Sequence, residues 1–126
     1  MDERMDISYL RLSKEDGDVE DGSIDESCSI QSQRTCIRQY LHRNGFSVDC
    51  LSEIIDDGYS GTTMNRPGMN RLIKLVESGK VRTIIVRDFS RFARSYLEAG
   101  HYLEFIFPVY NVRFISINDQ FDSLEL

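Results

Sequence analysis

The stretch Ile7–Ser13 reads Ile-Ser-Tyr-Leu-Arg-Leu-Ser and is the first segment of the chain with the composition of a β-strand. Side chains alternate along a strand, so Ile7, Tyr9 and Arg11 are expected on one face. The strand is expected to end at Ser13, where an acidic, glycine-containing segment begins. Ligands of open α/β sheets bind beyond the carboxyl ends of the strands. A hydroxyl at that edge, two residues after a guanidinium on the same face, suits a nucleophile that attacks a phosphate, and a serine that only ends the strand is the alternative.

Strand and helix patterns alternate through the rest of the chain. Two helix boundaries are well marked, because Asn44-Gly45 is a good helix stop and Pro67 suits a first helical turn. The elements predicted after the first strand are a helix over Ile30–Arg43, a strand over Phe46–Ile55, a helix from Pro67, a strand over Val81–Arg87, a helix over Tyr96–Phe107, a strand over Val112–Ile117 and a polar tail over Asn118–Leu126. This succession predicts an α/β fold, with a mostly parallel central sheet of four to five strands and helices on both faces.

The composition indicates one globular domain of 126 residues. No apolar run reaches membrane-spanning length, and the acidic N-terminus does not resemble a signal peptide. The three cysteines, Cys28, Cys36 and Cys50, form no C-x-x-C pair, and a zinc site is not expected. We therefore expect a cytoplasmic protein with reduced thiols and no membrane partner.

The net charge of −6 is concentrated in one segment. Lys14–Glu26 contains seven acidic residues and one lysine, a net charge of −6, so the rest of the chain is balanced. The chain has twelve arginines and three lysines. Because arginine suits planar, bidentate contact with phosphate, this bias indicates phosphate recognition.

Three polar loops each follow a predicted strand and are therefore expected at one edge of the sheet. The loops are Ser13–Ser27, Asp56–Arg66 and Asp88–Ser95. Together with Arg11 of the first strand, these loops could surround one phosphate near Ser13 with four guanidinium groups, those of Arg11, Arg66, Arg91 and Arg94. Positioned cations of this kind stabilise the charge that develops in phosphoryl transfer.

Two further features of these loops are open to interpretation. Arg91 and Arg94 are three residues apart, so their side chains would point the same way if a helix begins in the third loop. Asp56, Asp57 and Asp88 could hold a metal ion, although four guanidinium groups would make a metal unnecessary.

Five ordered motifs resemble the catalytic domain of the serine recombinases, which include resolvases, invertases, large integrases and transposases. The motifs are Tyr9-x-Arg11-x-Ser13, Ser29-Ile30-x-x-Gln33, Asp57-Gly58-Tyr59-Ser60-Gly61, Arg66-Pro67-Gly68 and Ser90-Arg91-x-x-Arg94. The likeness covers nearly the whole chain and is greatest to the large transposases and integrases of mobile elements.

The resemblance implies that Ser13 attacks a DNA phosphate, forms a 5′-phosphoserine link and releases a 3′-hydroxyl, with no metal or nucleotide cofactor. It implies phosphate binding by Arg11, Arg66, Arg91 and Arg94. It also implies supporting positions at Tyr9, Gln33, Asp57, Ser60 and Ser90. Ser90 stands where small members usually carry Asp, and the general base is unassigned, with Asp57 as one hypothesis.

The resemblance also implies that residues 1–126 are the catalytic domain alone, ending before the family's long oligomerisation helix and its DNA-binding domains. DNA binding and self-association to a dimer and a tetramer are then expected of the full-length protein. The isolated chain is expected to bind DNA poorly and to be inactive in recombination.

Two other interpretations remain. A doubly wound signalling or binding module, such as a phospho-acceptor receiver, is suggested by Asp56-Asp57 after a strand and by Lys80. A receiver would need further acidic residues at the same edge, whereas the first strand ends in Arg-Leu-Ser. A catalytically silent relative that serves in assembly is disfavoured, because Ser13 and all four arginines are present.

Overall fold

The computed structural model describes residues 3–12, 30–58, 64–93 and 95–125. Within these ranges one sheet contains the strands β1 (Met5–Leu12), β2 (Leu51–Asp57), β3 (Val81–Val86), β4 (Arg113–Ser116) and β5 (Phe121–Asp122). The strand order is β2-β1-β3-β4-β5. The first four strands are parallel to their neighbours and β5 is antiparallel to β4. The predicted fold class is confirmed.

The helices connect successive strands. They are α1 (Ile30–Arg43), α2 (Pro67–Glu77), the single turn α3 (Phe89–Phe92) and α4 (Tyr96–His101), which continues into a π-helical segment at Tyr102–Ile106. A 3₁₀ turn at Ser123–Glu125 follows β5. The range predicted for α1 is confirmed, and Pro67 is the first residue of α2 as expected. No helix in the described ranges has the length and hydropathy to span a bilayer.

Both faces of the sheet are covered by apolar side chains, as the alternation along β1 requires. Ile7 and Tyr9 belong to a core shared with α2, with α4 and with the segment after α4, through Met69, Leu72, Val76, Ala99 and Phe107. Leu10 belongs to the opposite core, with Ile37 and Leu41 of α1. The predicted division of β1 into two faces is therefore confirmed.

The second strand begins later than predicted. It starts at Leu51, and Phe46 and Val48 lie in the preceding turn, where both pack against the core on the α1 face. The Phe46 amide donates to the Leu41 carbonyl oxygen, which closes the helix end. Apolar residues that pack from a turn imitate the start of a strand in a sequence pattern.

The polar tail predicted over Asn118–Leu126 is wrong for its middle part, which forms β5. Phe121 packs on Phe89 and Phe114, with ring centroids 5.3 and 6.4 Å apart. Arg113 of β4 forms a bidentate ion pair with Asp122, and this pair contributes to holding β5 on the sheet. Burial of Asp122 is offset by the arginine, which lowers the pKa of its carboxyl group.

Candidate active site

The carboxyl ends of β1, β2 and β3 lie side by side at one edge of the sheet. The order of the strands reverses between β1 and β3, because β1 is followed along the chain by β2 on one side and β3 lies on its other side. Leu12 is paired with Asp57, and the Gly58 amide donates to the Leu12 carbonyl oxygen at 2.6 Å. In the described residues β1 pairs with β3 only as far as Ser8 and Ile85, so the two strands separate beyond that pair. This is the position at which doubly wound sheets bind their ligands. The ends of the three strands share one edge of the sheet, as the predicted convergence of the loops requires, while residues 13–27 and 59–63 of those loops lie outside the described residues.

Gln33 of α1 fills the gap where β1 leaves β3. Its side-chain Nε2 donates to the Arg11 carbonyl oxygen at 2.9 Å, and its Oε1 accepts from the Arg11 amide at 3.2 Å. The side chain is buried, and it replaces the hydrogen bonds that a neighbouring strand would supply. Gln33 therefore supports the site by holding the backbone of Arg11.

Arg11 and Arg91 are interlocked across this gap. The Arg11 side chain donates from Nε to the Arg91 carbonyl oxygen at 3.3 Å and from Nη2 to the Ser90 carbonyl oxygen at 2.8 Å. In return, Nη1 of Arg91 donates to the Arg11 carbonyl oxygen at 3.0 Å. Both residues are mostly buried, with exposed fractions of 6% and 8%. Two of the four predicted arginines are thus brought together at the end of β1.

Arg66 is too deeply buried in this structure to contact an anion at the protein surface. It is fully buried, and its Nη2 donates to the Phe92 carbonyl oxygen at 2.7 Å. Its guanidinium carbon lies 5.7 Å from the centre of the Tyr9 ring, within cation–π distance. In this state Arg66 braces α3, and a phosphate could reach it only after these contacts are exchanged.

Asp56 is the carboxylate that organises the start of α2. It accepts hydrogen bonds from the amides of Gly68 and Met69 at 2.7 and 2.9 Å, and from the Tyr9 hydroxyl at 2.6 Å. Arg66, the residue before the helix, provides no side-chain cap, so Asp56 satisfies the first helical amides from the neighbouring strand. Burial, together with the hydrogen bond to Asp56, raises the pKa of Tyr9 far above its ordinary value, so its hydroxyl remains a donor.

Asp88 and Ser90 form the outer part of the third loop. The Ser90 hydroxyl donates to Asp88, which also accepts from Arg87 and lies 3.6 Å from Nε of Arg91. Burial alone would raise the pKa of the Asp88 carboxyl, but the hydrogen bonds from Ser90 and Arg87 and the charge of Arg91 hold it below its ordinary value. The carboxylate therefore stays ionised and partly neutralises the cations around it.

The predicted site residues divide into three groups. Hydrogen bonds join four of them directly: Arg11, Arg91, Gln33 and Ser90. Tyr9 and Arg66 contact each other next to this group, on the face of the sheet that α2 covers. Asp57 lies at the end of β2 with an exposed side chain. Ser13, Ser60 and Arg94 lie outside the described residues.

The condition under which Arg91 and Arg94 would point the same way, one helix that carries both, is not met by α3 in the described residues. The helical turn α3 ends at Phe92, and Ala93 has extended backbone angles, with φ −143° and ψ 146°. The i, i+3 relation holds only along a continuous helix. Arg94 lies outside the described residues, so its alignment with Arg91 stays a prediction.

The sequence did not predict the structural role of Asp56, which was considered only as a metal ligand or as part of a receiver's phospho-acceptor site. All three hydrogen bonds to its carboxylate come from groups distant in sequence or across a loop. The one available signal is Arg66-Pro67-Gly68, a helix start whose first residues contain no capping side chain. Such a start calls for a cap from another segment.

Comparison with known proteins identifies a matching family. The family model described as "Resolvase, N terminal domain" matches residues 7–125. The chain matches no curated protein sequence.

Solved structures share the fold. The N-terminal catalytic domain of TP901-1 integrase superimposes with a TM-score of 0.74 at 24% identity, over 94% of this chain and 82% of that one. A resolvase family site-specific recombinase from Streptococcus pneumoniae has a TM-score of 0.71 at 25% identity, over 98% and 78% of the two chains. The C-terminal catalytic domain of ISC1926 TnpA, an IS607-like serine recombinase, has a TM-score of 0.65 at 24% identity, over 90% and 67%.

Proposed function

The chain belongs to the family of resolvase N-terminal domains, and we propose that Ser13 is the nucleophile with which this site-specific recombinase domain cuts DNA. The Ser13 oxygen attacks the scissile phosphorus, and the bond from phosphorus to the 3′-oxygen breaks. The products are a 5′-phosphoserine link and a 3′-hydroxyl, so the serine proton is lost to a base and the leaving oxygen gains one. One phosphate ester replaces another, which leaves the 3′-hydroxyl able to reverse the reaction on a new partner.

The observation that carries this proposal is the pairing of Arg11 with Arg91 at the end of β1. Their side chains are within hydrogen-bonding distance of each other's backbone, and Ser13 follows Leu12, the last residue of β1. Charge-assisted contacts from guanidinium groups suit the equatorial oxygens of a phosphate in transfer. The proposed chemistry requires no metal and no nucleotide.

Arg66 and Arg94 complete the proposed phosphate-binding set. Arg66 adds a buried positive charge beneath Tyr9, and Arg94 directly follows Ala93 at the end of the third loop. The proposed supporting roles follow from position: Gln33 holds the Arg11 backbone, Tyr9 is bonded to Asp56, Ser90 is bonded to Asp88, and Asp57 and Ser60 belong to the second loop. Asp57 is a candidate general base because it ends β2 beside Leu12.

We further propose the context in which this domain works. The family acts on DNA and forms oligomers, and we assign this chain to a longer protein whose other segments bind the DNA and build the dimer and the tetramer. The net charge of −6 supports this division, because DNA affinity depends on cationic contacts with phosphates. The cytoplasm is the compartment that suits such an enzyme.

A receiver-like module is the second candidate function, and the contacts of Asp56 and the residues at the end of β1 disfavour it. Asp56 is occupied by Tyr9 and the start of α2, and β1 ends in Arg11 and Leu12 where a receiver would need acidic residues. Incubation with a small phosphodonor tests this candidate, since phosphorylation of an aspartate would favour it.

The decisive test of the recombinase mechanism uses the full-length protein and a nicked suicide DNA substrate. The wild type is expected to form a covalent adduct on the 5′ end, which denaturing electrophoresis detects, and Ser13→Ala is expected to abolish it. Ser78→Ala is the matched control, because Ser78 is exposed at the far end of α2 and its hydroxyl donates to the Lys74 carbonyl of that helix. An adduct that persists in Ser13→Ala would remove Ser13 from the nucleophile position.

A further inference from the structure

The turn between β4 and β5 reaches across to the active-site turn α3. Asp119 accepts a hydrogen bond from the Phe89 amide, the first residue of α3, at 2.7 Å. The same carboxylate oxygen accepts from the hydroxyl of Ser116, a fully buried residue at the end of β4, at 2.6 Å. One oxygen atom therefore links the last parallel strand to the segment that carries Arg91.

The amino end of α3 needs this external acceptor. A helix leaves its first amides without partners inside the helix, and the residue before α3, Asp88, makes no side-chain cap. The Asp88 carboxylate is instead engaged by Arg87, Ser90 and Arg91. Asp119 thus supplies the cap that the preceding residue does not.

The turn that carries Asp119 is itself fixed on the sheet. The Asn118 amide donates to the Arg87 carbonyl oxygen at 2.7 Å, which extends the contact between β3 and β4 beyond their ends. The Phe89 ring stacks on Phe114 at 5.8 Å and lies 5.3 Å from Phe121. The first residue of α3 is therefore held by its backbone and by its side chain from the same direction.

The other end of α3 holds the arginines. The carbonyl oxygens of Ser90 and Arg91 accept from Arg11, and that of Phe92 accepts from Arg66. Because α3 is a single turn, any shift of its first residue moves these three carbonyl groups and the Arg91 side chain together.

We propose that Asp119 is a positioning residue for DNA cleavage, which sets the place of α3 and through it the alignment of Arg91 and Arg11. The proposal rests on the recombinase function and adds to it a residue that is assigned neither to nucleophilic attack nor to phosphate binding. Its partner Ser116 orients the carboxylate.

The variants Asp119→Ala and Asp119→Asn test this role in the full-length protein with the suicide substrate. Asp119→Ala is expected to slow adduct formation roughly 10- to 100-fold, the effect of losing a charged hydrogen bond that aligns catalytic groups. Asp119→Asn is expected to remain within about threefold of wild type, because a single amide oxygen can accept both bonds. Asn118→Ala is the control, since it changes an exposed side chain of the same turn and keeps the backbone bond to Arg87.

A second measurement locates the effect. Hydrogen exchange of the peptide that covers Phe89–Phe92 is expected to speed up in Asp119→Ala and to stay near wild type in Asp119→Asn, whether or not the protein cuts DNA. Ser116→Ala provides a milder variant if Asp119→Ala does not fold, and it is expected to slow cleavage severalfold.

The two proposals fail in different ways. If the Ser13→Ala variant still forms the covalent adduct, the proposed mechanism is wrong, while hydrogen exchange at α3 still reports on the Asp119 contact. If Asp119→Ala folds and cleaves at the wild-type rate, or if Asp119→Asn loses as much activity as Asp119→Ala, the positioning role of Asp119 is overturned and the Ser13 mechanism stands.

Discussion

Gly68 shows at the scale of one residue how closely the site is built. A Cβ atom at this position would lie 2.8 Å from each carboxylate oxygen of Asp56, far inside van der Waals contact. The carboxylate cannot move away without losing its bonds to the amides of α2 and to Tyr9. The glycine is required by this close approach.

We expect Gly68→Ala to lower the free energy of unfolding by about 1–3 kcal/mol, because Asp56 would have to give up hydrogen bonds inside the protein. Urea denaturation followed by circular dichroism measures this change.

Gly100→Ala is the matched control for that variant. Gly100 lies in α4, and a Cβ atom there would meet no described atom within 4 Å apart from the backbone of its own helix and its chain neighbours. Alanine in a helix is about 0.5–1 kcal/mol better than glycine, so this variant is expected to be neutral or more stable. Equal destabilisation by both substitutions would contradict the role assigned to Asp56.

The sequence could not predict which of the neighbouring acids Asp56 and Asp57 is buried. One is buried and caps α2, and the other is exposed at the end of β2. Side chains alternate along a strand, so which acid faces inward depends on the register of β2. The sequence pattern placed the start of this strand five residues early, at Phe46 rather than Leu51, and left the register undetermined.

At the scale of elements, α1 supports the site through Gln33, its buried polar side chain. The side-chain amide satisfies both backbone groups of Arg11 beyond the last pair of β1 and β3. A buried backbone group without a partner costs about 1–3 kcal/mol. The helix therefore contributes polar contacts as well as the apolar stripe that predicted it.

We expect Gln33→Ala to destabilise the protein by about 1–3 kcal/mol, since the buried Arg11 amide loses its partner and the Arg11 carbonyl keeps only the bond from Arg91. Gln39→Ala, on the exposed face of the same helix, is expected to stay within about 0.5 kcal/mol of wild type. Thermal and urea unfolding of both variants make the comparison, and a stable Gln33→Ala would show that water or a rearranged strand replaces the amide.

Elements with strong local signals could be predicted, and elements held by distant partners could not. The range of α1 follows from its stripe and from Asn44-Gly45, and Pro67 marks the start of α2. The single turn α3 is maintained by Asp119 at one end and by arginines at the other, and none of these contacts is local. The short strand β5 similarly depends on the pair between Arg113 and Asp122.

At the scale of the whole molecule, the strand order explains why the sequence could place Arg11 and Arg91 at the same edge of the sheet. Polar loops after parallel strands meet at one edge whichever register each strand adopts, so Arg11 and Arg91 were expected together and are found together. The orientation of each guanidinium depends on packing, and the full burial of Arg66 could not be predicted from Arg66-Pro67-Gly68.

The charge of the molecule leads to a prediction for DNA binding. With a net charge of −6, this chain alone is expected to bind duplex DNA weakly, at least about 100-fold less tightly than the full-length protein at equal salt. Fluorescence anisotropy with labelled duplexes over a range of salt concentrations measures both. A tight, salt-sensitive complex of the isolated chain would place the main DNA contacts within these residues.

The guanidinium groups of Arg11 and Arg66 already donate hydrogen bonds to backbone carbonyl groups in the absence of DNA. The carbonyl oxygens of Ser90, Arg91 and Phe92 already accept hydrogen bonds from Arg11 and Arg66. A phosphate that engages these guanidinium groups competes with neutral oxygens and succeeds through its charge. The vacated carbonyls then require water or a new position of the chain that leads into α4. Occupancy of the site and the conformation of that chain are thermodynamically linked, so any contact elsewhere that favours the rearranged chain also tightens the hold on the phosphate.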